Sequence, residues 1–356
     1  MKIPDIIQLR LYNQLLTNNK FTNPGEAVSW FGAVQSQDFE GAKWAIGQRI
    51  DGSTEAKIQQ AYDNGEIIRT HVMRPTWHFV SPADIKWLLA LTASRVAAAC
   101  ATTFRQVQLD NKIFKISNAV IEKALQKGKP LTREELKTAL QKKNIRTDDI
   151  RMICLLMRAE LDGLICSGPK QGKQFTYMLL DQRVPDSINF NKDEALAELA
   201  IRYFASHGPA TIKDFAWWSG LTISEAKKGV ELIKSSLLNE VVENETFWFS
   251  SALPKIKIMK PDIYLLPAFD EYTVAYKNRH ILIHPDSATR SSLEILNPVI
   301  VQKGKIIGTW KRTLDKNNVT IKTNPFVTLS SSAVKSLQSA KKTYAKFIGK
   351  NLLPNK

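Results

Sequence analysis

Leu131-Thr132-Arg133-Glu134-Glu135-Leu136, followed by Ile150, Ile153, Cys154, Met157 and Leu161, sets out two helices in a row. Thr132 is placed to cap the first helix and Glu135 to reach back to it, the capping-box pattern. The second helix, about 148–162, opens on two acids and carries its apolar residues at helical spacing. Leu164-Ile165-Cys166 then leads through the turn Gly168-Pro169-Lys170-Gln171-Gly172-Lys173 into an alternating strand over 174–179. Helix, helix, then a two-stranded wing is the winged-helix elaboration of helix-turn-helix. Its last helix enters a major groove and its wing touches the backbone.

The same order recurs downstream. A helix over 193–206 precedes Gly208-Pro209-Ala210-Thr211, where Thr211 caps a helix over 212–219. A second capped helix starts at Thr222, and strands 241–243 and 246–249 meet at Asn244-Glu245. The N-terminal block fits with more strain. It has helices at 5–16, 24–33, 39–49 and 54–64, then strands 67–73 and 76–80 meeting at Arg74-Pro75. Long helices over 82–128 link it onward. From Pro254 the pattern turns to short strands at 263–266, 273–276, 281–283, 299–301, 305–310 and 318–321, with a basic helix over 330–347. The expected fold class is α+β, mainly α: tandem winged-helix (helix-turn-helix) modules with a C-terminal β-rich domain. The expected units are 1–110, a first module with linking helices; 111–190 and 191–253, the second and third modules; and 254–356, the β-rich domain.

Charge points to the partner. The chain has 356 residues and a formal charge of +16. Residues 1–110 hold 11 Lys/Arg against 10 Asp/Glu, 111–190 hold 15 against 9, 191–253 hold 6 against 9, and 254–356 hold 18 against 6. Such a field attracts a polyanion, although a lysine-rich soluble surface has the same total. No apolar run reaches membrane-spanning length and the N-terminus lacks the regions of a secretory signal. Cys100, Cys154 and Cys166 sit among apolar residues without metal-ligand spacing, as reduced core thiols of a cytoplasmic, nucleoid-associated protein.

Chemistry has few places to live. There is no phosphate-binding glycine loop, zinc-type histidine pair or nucleophile elbow. His280 and His284 would share a face of a strand, as a metal pair or, preferably, as a solvated pair at its ends. Adjacent Asp270 and Glu271 suit turn or salt-bridge roles better than acid–base work. The unusual stretch is Val34-Gln35-Ser36-Gln37-Asp38-Phe39. In an extended segment Gln35 and Gln37 point the same way and present two carboxamides, each with an acceptor and a donor end. On spacing alone, a helix-capping glutamine beside a solvated one explains the pair better.

A wider pattern shifts that balance. Tyr12, Gln35-Ser36-Gln37-Asp38, Trp44-Ala45-Ile46-Gly47-Gln48-Arg49 and the run from Arg69 to His78 resemble the winged-helix DNA glycosylases of the AlkZ/YcaQ family. So do Gly208-Pro209-Ala210-Thr211, Asp214 to Leu221, Leu266 to Tyr272 and Gly308-Thr309-Trp310-Lys311-Arg312. The resemblance implies excision of alkylated purines and, in some members, unhooking of interstrand crosslinks. It implies a catalytic motif of glutamine, an aliphatic residue, then glutamine or aspartate, which falls on Gln35 and Gln37. Ser36 departs from the aliphatic middle position, and a serine there would aim its neighbours less firmly.

The supporting candidates are Ser36, Asp38, Trp77 and His78, with helix capping the preferred role for Asp38. Lys43, Arg49, Arg69 and Arg74 are candidate DNA contacts around the motif, Lys170 and Lys173 in the second wing, and Lys311 and Arg312 beside Trp310. For Trp44 and Trp77, core packing is preferred to base stacking. The expected function is a monofunctional glycosylase acting on cationic alkylated purines in duplex DNA, because no Schiff-base amine is evident. It needs no cofactor or metal and works as a monomer on double-stranded DNA. The alternatives are a non-catalytic winged-helix DNA-binding protein, a regulator or damage sensor, and a protein-interaction scaffold.

Overall fold

The computed structural model describes residues 1–18, 21–252, 262–287 and 296–354. The expected boundary at 253–254 lies outside the described residues. The chain is a mixed α/β protein. Helices Ile3–Asn13, Pro24–Phe31, Phe39–Gly47 and Glu55–Asn64 precede strands Ile68–His71 and Trp77–Val80. The two-residue strand Val34–Gln35 adds to the outer edge of Trp77–Val80, so the glutamine stretch is an edge of a three-stranded sheet. Helices Ile85–Ala99, Ala101–Gln106 and Asn111–Leu125 lead onward.

The next two blocks repeat one order. Helices Arg133–Gln141 and Asp149–Leu161 are followed by strands Ile165–Ser167 and Thr176–Leu179, with Leu131–Thr132 added as a third strand. Helices Lys192–Ser206, Ile212–Ser219 and Ile223–Leu232 are followed by the hairpin Leu237–Val242 and Glu245–Ser250. Local chemistry sets these helix starts. Thr132 with Glu135, Thr211 with Asp214 and Thr222 with Glu225 each form a reciprocal capping box that satisfies otherwise orphaned N–H groups.

The C-terminal sheet runs Asn351–Leu353, Asn318–Pro325, Lys305–Leu314, Val299–Gln302, Ile263–Leu266, antiparallel except for its terminal pair. Both of its faces are covered. Ile263, Leu265 and Ile300 pack into a cluster with Trp44, Phe39 and the terminal helix Ser331–Phe347. Tyr264, Leu266, Val299 and Val301 pack on the other side against Ile6, Ile7 and Leu11 of the first helix. That explains the continuous apolar run Ile263–Leu266, since a strand buried on both faces has no polar side to show. Residues 104–165 supply one cluster, whereas another runs through all four blocks, from Ala33 and Trp87 through Cys166 and Leu180 to Trp218 and Tyr276.

Two expected strands are absent. Residues 273–276 lie in and just after the helical turn Glu271–Val274, because Asp270 caps it by accepting from Tyr272 N at 2.9 Å. Residues 281–283 fall in and after the 3-10 turn His280–Leu282. His280 therefore shares no strand face with His284; its Nδ1 lies 2.7 Å from Asn278 Oδ1, and His284 faces Asp286. Cys154 and Cys166 are buried, Cys100 is half-buried and none is bridged. No helix among the described residues is long and apolar enough to cross a membrane.

The terminal helix reaches helix Phe39–Gly47 only because Gly47 has no side chain: a Cβ there would stand 2.2 Å from Phe347 Cε2. Trp44 packs on Phe347 and Tyr344 at ring separations of 5.0 and 5.1 Å in the same contact. Gly47→Ala is expected to lower stability by about 1–3 kcal/mol through overpacking, read by denaturant unfolding. An unchanged midpoint would show that the terminal helix is not packed here.

Candidate active site

The glutamine stretch is held as an alternating edge. Val34 pairs with Phe79 and Gln35 with His78, and Ser36 N donates to Trp77 O at 2.8 Å. Gln35 is half-buried, Ser36 fully buried and Gln37 exposed, and alternation puts the two glutamines on one face of the edge and the serine on the other. Asp38 then caps helix Phe39–Gly47, its Oδ1 accepting from Gly41 N at 3.0 Å. Trp77 N donates to Gln37 Oε1 at 3.4 Å.

Gln35 is fixed at both ends. Its backbone N–H donates to Glu271 Oε1 at 2.7 Å, and its Oε1 accepts from Arg74 Nη2 at 3.2 Å. Arg74 also donates to His78 Nε2 at 3.2 Å, while His78 Nδ1 faces Thr76 O at 2.9 Å. That pattern assigns the proton to Nδ1 and leaves Nε2 as an acceptor. Burial, and then the Arg74 charge, push the His78 pKa down to about 3, so the ring is neutral at working pH. Glu271 is itself buried, with Oε2 taking Trp218 Nε1–H at 2.9 Å and His207 Nε2 at 3.4 Å. Burial pushes its pKa up, but His207, Arg74 and the Gln35 N–H outweigh that and bring it down to about 2. Burial depresses His207, so the Glu271 carboxylate is the charged member and a neutral His207 donates to it.

Several cations expected on DNA are instead turned inward. Arg49 is 2% exposed; it forks onto Asp270 at 2.8 and 2.6 Å and donates to Ala45 O and Gln14 O, so no donor faces a phosphate. Lys43 is equally buried and pairs with Glu40 and Glu55. Arg69 gives Nε and Nη2 to Ser36 O at 3.2 and 2.9 Å and lies over the Trp77 ring, so it braces the motif from behind. Lys170 bridges the first and second blocks, its N–H on Asp63 and its ammonium over Phe39 and Phe175. For Arg49, Lys43 and Arg69 the contact expectation is corrected, because their desolvated cations have protein partners; Lys170 is half-buried and turned toward the first block. Lys173 and Lys311 are exposed, and Arg74 and Arg312 half-buried, with Arg312 over Tyr344 on the face it shares with Trp310. Trp44 is core, its Nε1 on Leu265 O at 2.6 Å.

Behind the strand lies a cavity of about 420 Å³ whose walls include Arg69, His71, Trp77, Glu160, Phe175 and Tyr177. Trp77 and His78 are successive strand residues, so this cavity opens on the face opposite Gln35. Residues that spacing alone did not single out are Arg74 as the clamp on Gln35, together with Glu271, His207 and Trp218. The adjacent Asp270-Glu271 carboxylates were the visible signal, and the turn and salt-bridge reading holds for Asp270.

An edge strand presenting two amides, backed by a buried ion network and set among helix–hairpin units, defines the class to which comparison assigns the chain. The family model described as DNA glycosylase AlkZ-like matches residues 28–347, and the chain belongs to that family. It is 23% identical over 378 residues to the interstrand DNA cross-link repair glycosylase of Streptomyces sahachiroi, covering 97% of this chain and 96% of that one. It is also similar in fold to the solved Streptomyces sahachiroi DNA glycosylase AlkZ, with a TM-score of 0.76 at 21% identity over 99% of each chain.

Ser36 Oγ is buried without a hydrogen-bond partner among the described residues, an arrangement that costs about 1–3 kcal/mol. Ser36→Ala is therefore expected to raise stability by about 1 kcal/mol in denaturant unfolding, and a loss would reveal a partner for the hydroxyl. Acid should act in the opposite sense. His78 and His207 are depressed from 6.5 in the folded state, so the unfolded chain binds more protons below that pH and stability falls as pH drops. Glu271, depressed from 4.5 to about 2, adds a second loss below about 4.5. The melting temperature is expected to fall steadily from pH 7 to pH 4; a rise on acidification contradicts the protonation states assigned here.

Proposed function

We propose that the chain hydrolyses the N-glycosidic bond of cationic alkylated purines in duplex DNA, with crosslinked purines in its range, and that Gln35 and Gln37 are its catalytic residues. The observation that carries this is the pair of carboxamides on one face of a braced edge, with a neutral His78 and a capping Asp38 beside them. A purine alkylated on a ring nitrogen already bears positive charge. It leaves with the bonding electron pair as a neutral base, C1′ becomes an oxocarbenium centre, and water adds to it and loses its proton to solvent. Such a leaving group needs no acid. Oriented dipoles that place the water and favour the developing cation suffice. Arg74 takes one lone pair of Gln35 Oε1 and leaves the other for the developing cation, the NH₂ end of Gln35 is available to donate to the substrate, and Gln37 supplies the second polar group. Gln37 is exposed, so the lesion meets a surface and the reading does not require full extrusion of the base. The reaction as written calls on no organic cofactor and no Schiff-base amine.

The three helix–helix–hairpin blocks are read as winged-helix modules in the units 1–110, 111–190 and 191–253, with 254–356 as the fourth unit, together gripping a duplex. The enzyme works as a cytoplasmic monomer on DNA. Lys173, Lys311 and Arg312 are its proposed phosphate contacts, while Arg74 is engaged with Gln35 and His78. Lys311 stands directly opposite Lys322 across strands Lys305–Leu314 and Asn318–Pro325, and both are exposed. Like charges facing one another destabilise a sheet, and an anion laid across them relieves it.

Release of 7-methylguanine from duplex DNA tests the chemistry. Gln35→Ala and Gln37→Ala are each expected to reduce the single-turnover rate by about 10²-fold or more with duplex affinity retained. Binding without release by the wild type would return the chain to a damage sensor, and release indifferent to both substitutions would move the chemistry elsewhere. Lys311→Ala with Lys322→Ala is expected to weaken all duplexes alike and to flatten the salt dependence of binding by about two counterions. An unchanged slope removes this hairpin from the interface.

A further inference from the structure

We propose that Glu271 is a positioning residue for the glycosylase reaction, acting through Gln35 rather than on the substrate. This rests on the assignment of Gln35 above. Strand Val34–Gln35 is two residues long and lies at the edge of its sheet, so the ladder alone holds it weakly. On its unpaired side the Gln35 N–H meets Glu271 Oε1 at 2.7 Å, across 236 residues of sequence. Such a bond to a carboxylate is roughly twice as strong as one between neutral groups. Glu271 cannot swing away, because its other oxygen is held by Trp218 Nε1–H at 2.9 Å and His207 Nε2 at 3.4 Å. Its charge also faces that of Arg74, the residue that turns the Gln35 carboxamide by taking Oε1. Glu271 thus fixes the Gln35 backbone directly and its side-chain clamp electrostatically.

All three hydrogen-bond partners of Glu271 are donors. A glutamine in its place has one acceptor oxygen and would set its NH₂ against at least one of them. Glu271→Gln therefore keeps the shape and removes both the charge and one acceptor.

A double-mutant cycle separates positioning from mere structural support. Single-turnover release of 7-methylguanine is measured with excess enzyme for wild type, Glu271→Gln, Gln35→Ala and the double variant, alongside duplex affinity and melting temperature. Gln35→Ala leaves the backbone N–H in place, so Glu271→Gln disturbs the fold equally in both backgrounds. The expected result is at least a 10-fold loss of rate on the native background at unchanged duplex affinity, and less than a 2-fold further loss on Gln35→Ala. Equal losses on both backgrounds, or none, overturn the proposal while leaving the Gln35 assignment standing. A Gln35→Ala variant as active as wild type overturns that assignment first and this one with it. If Glu271→Gln does not fold, Trp218→Phe, which frees one oxygen of Glu271, is expected to show the same dependence on Gln35 with a 3- to 10-fold loss, and additivity there overturns the proposal.

Discussion

Two adjacent carboxylates tie the C-terminal sheet to the N-terminal edge on which the glutamines stand. Asp270 takes both forks of Arg49, in a pair that is almost wholly buried, and Glu271 takes the backbone N–H of Gln35. Neither can be replaced by solvent. Removing one partner of such a buried pair leaves an uncompensated charge and costs about 3–5 kcal/mol. The arrangement rests on the short turn after strand Ile263–Leu266, where Asp270 caps a single helical turn and so turns its neighbour toward the first block. The covered faces of the sheet then follow, because the first helix and the terminal helix must pack on either side of a sheet anchored at that point.

This anchorage bears on the chemistry. Catalysis by neutral amides depends on orientation, and dipoles that must reorganise during the reaction contribute little. Gln35 is braced by Glu271 behind and Arg74 beside it, and the carbonyl between the two glutamines is braced by Arg69. Cations near the motif thus serve the motif, while exposed lysines elsewhere are available to the duplex. The near-neutral first block and the basic second and fourth blocks fit that division of work.

Features written in local chemistry were legible in the sequence. Thr132, Thr211 and Thr222 announce their helices three residues ahead of their acidic partners, and the alternation of Gln35, Ser36 and Gln37 follows from an extended backbone. Features that depend on remote partners were not. The β-branched residues at 273 and 274 read as strand, because nothing local shows that Asp270 caps a turn over them. Arg49 and Lys43 read as phosphate contacts, since a cation's charge is visible in a sequence and its partner is not. Glu271 reads only as a turn or salt-bridge residue for the same reason: its tie to Gln35 exists only once residues 35, 74, 207 and 218 meet.

In the proposed reaction, oriented neutral amides cleave a bond already weakened by the charge of the lesion. The most direct measurement compares release of cationic 7-methylguanine with release of uncharged hypoxanthine from one duplex sequence, between pH 5.5 and 8.5. Rapid, nearly pH-independent release of 7-methylguanine and no release of hypoxanthine are expected. Efficient excision of hypoxanthine, rising toward acid pH, would show that a titrating acid protonates the leaving base and would contradict that reaction.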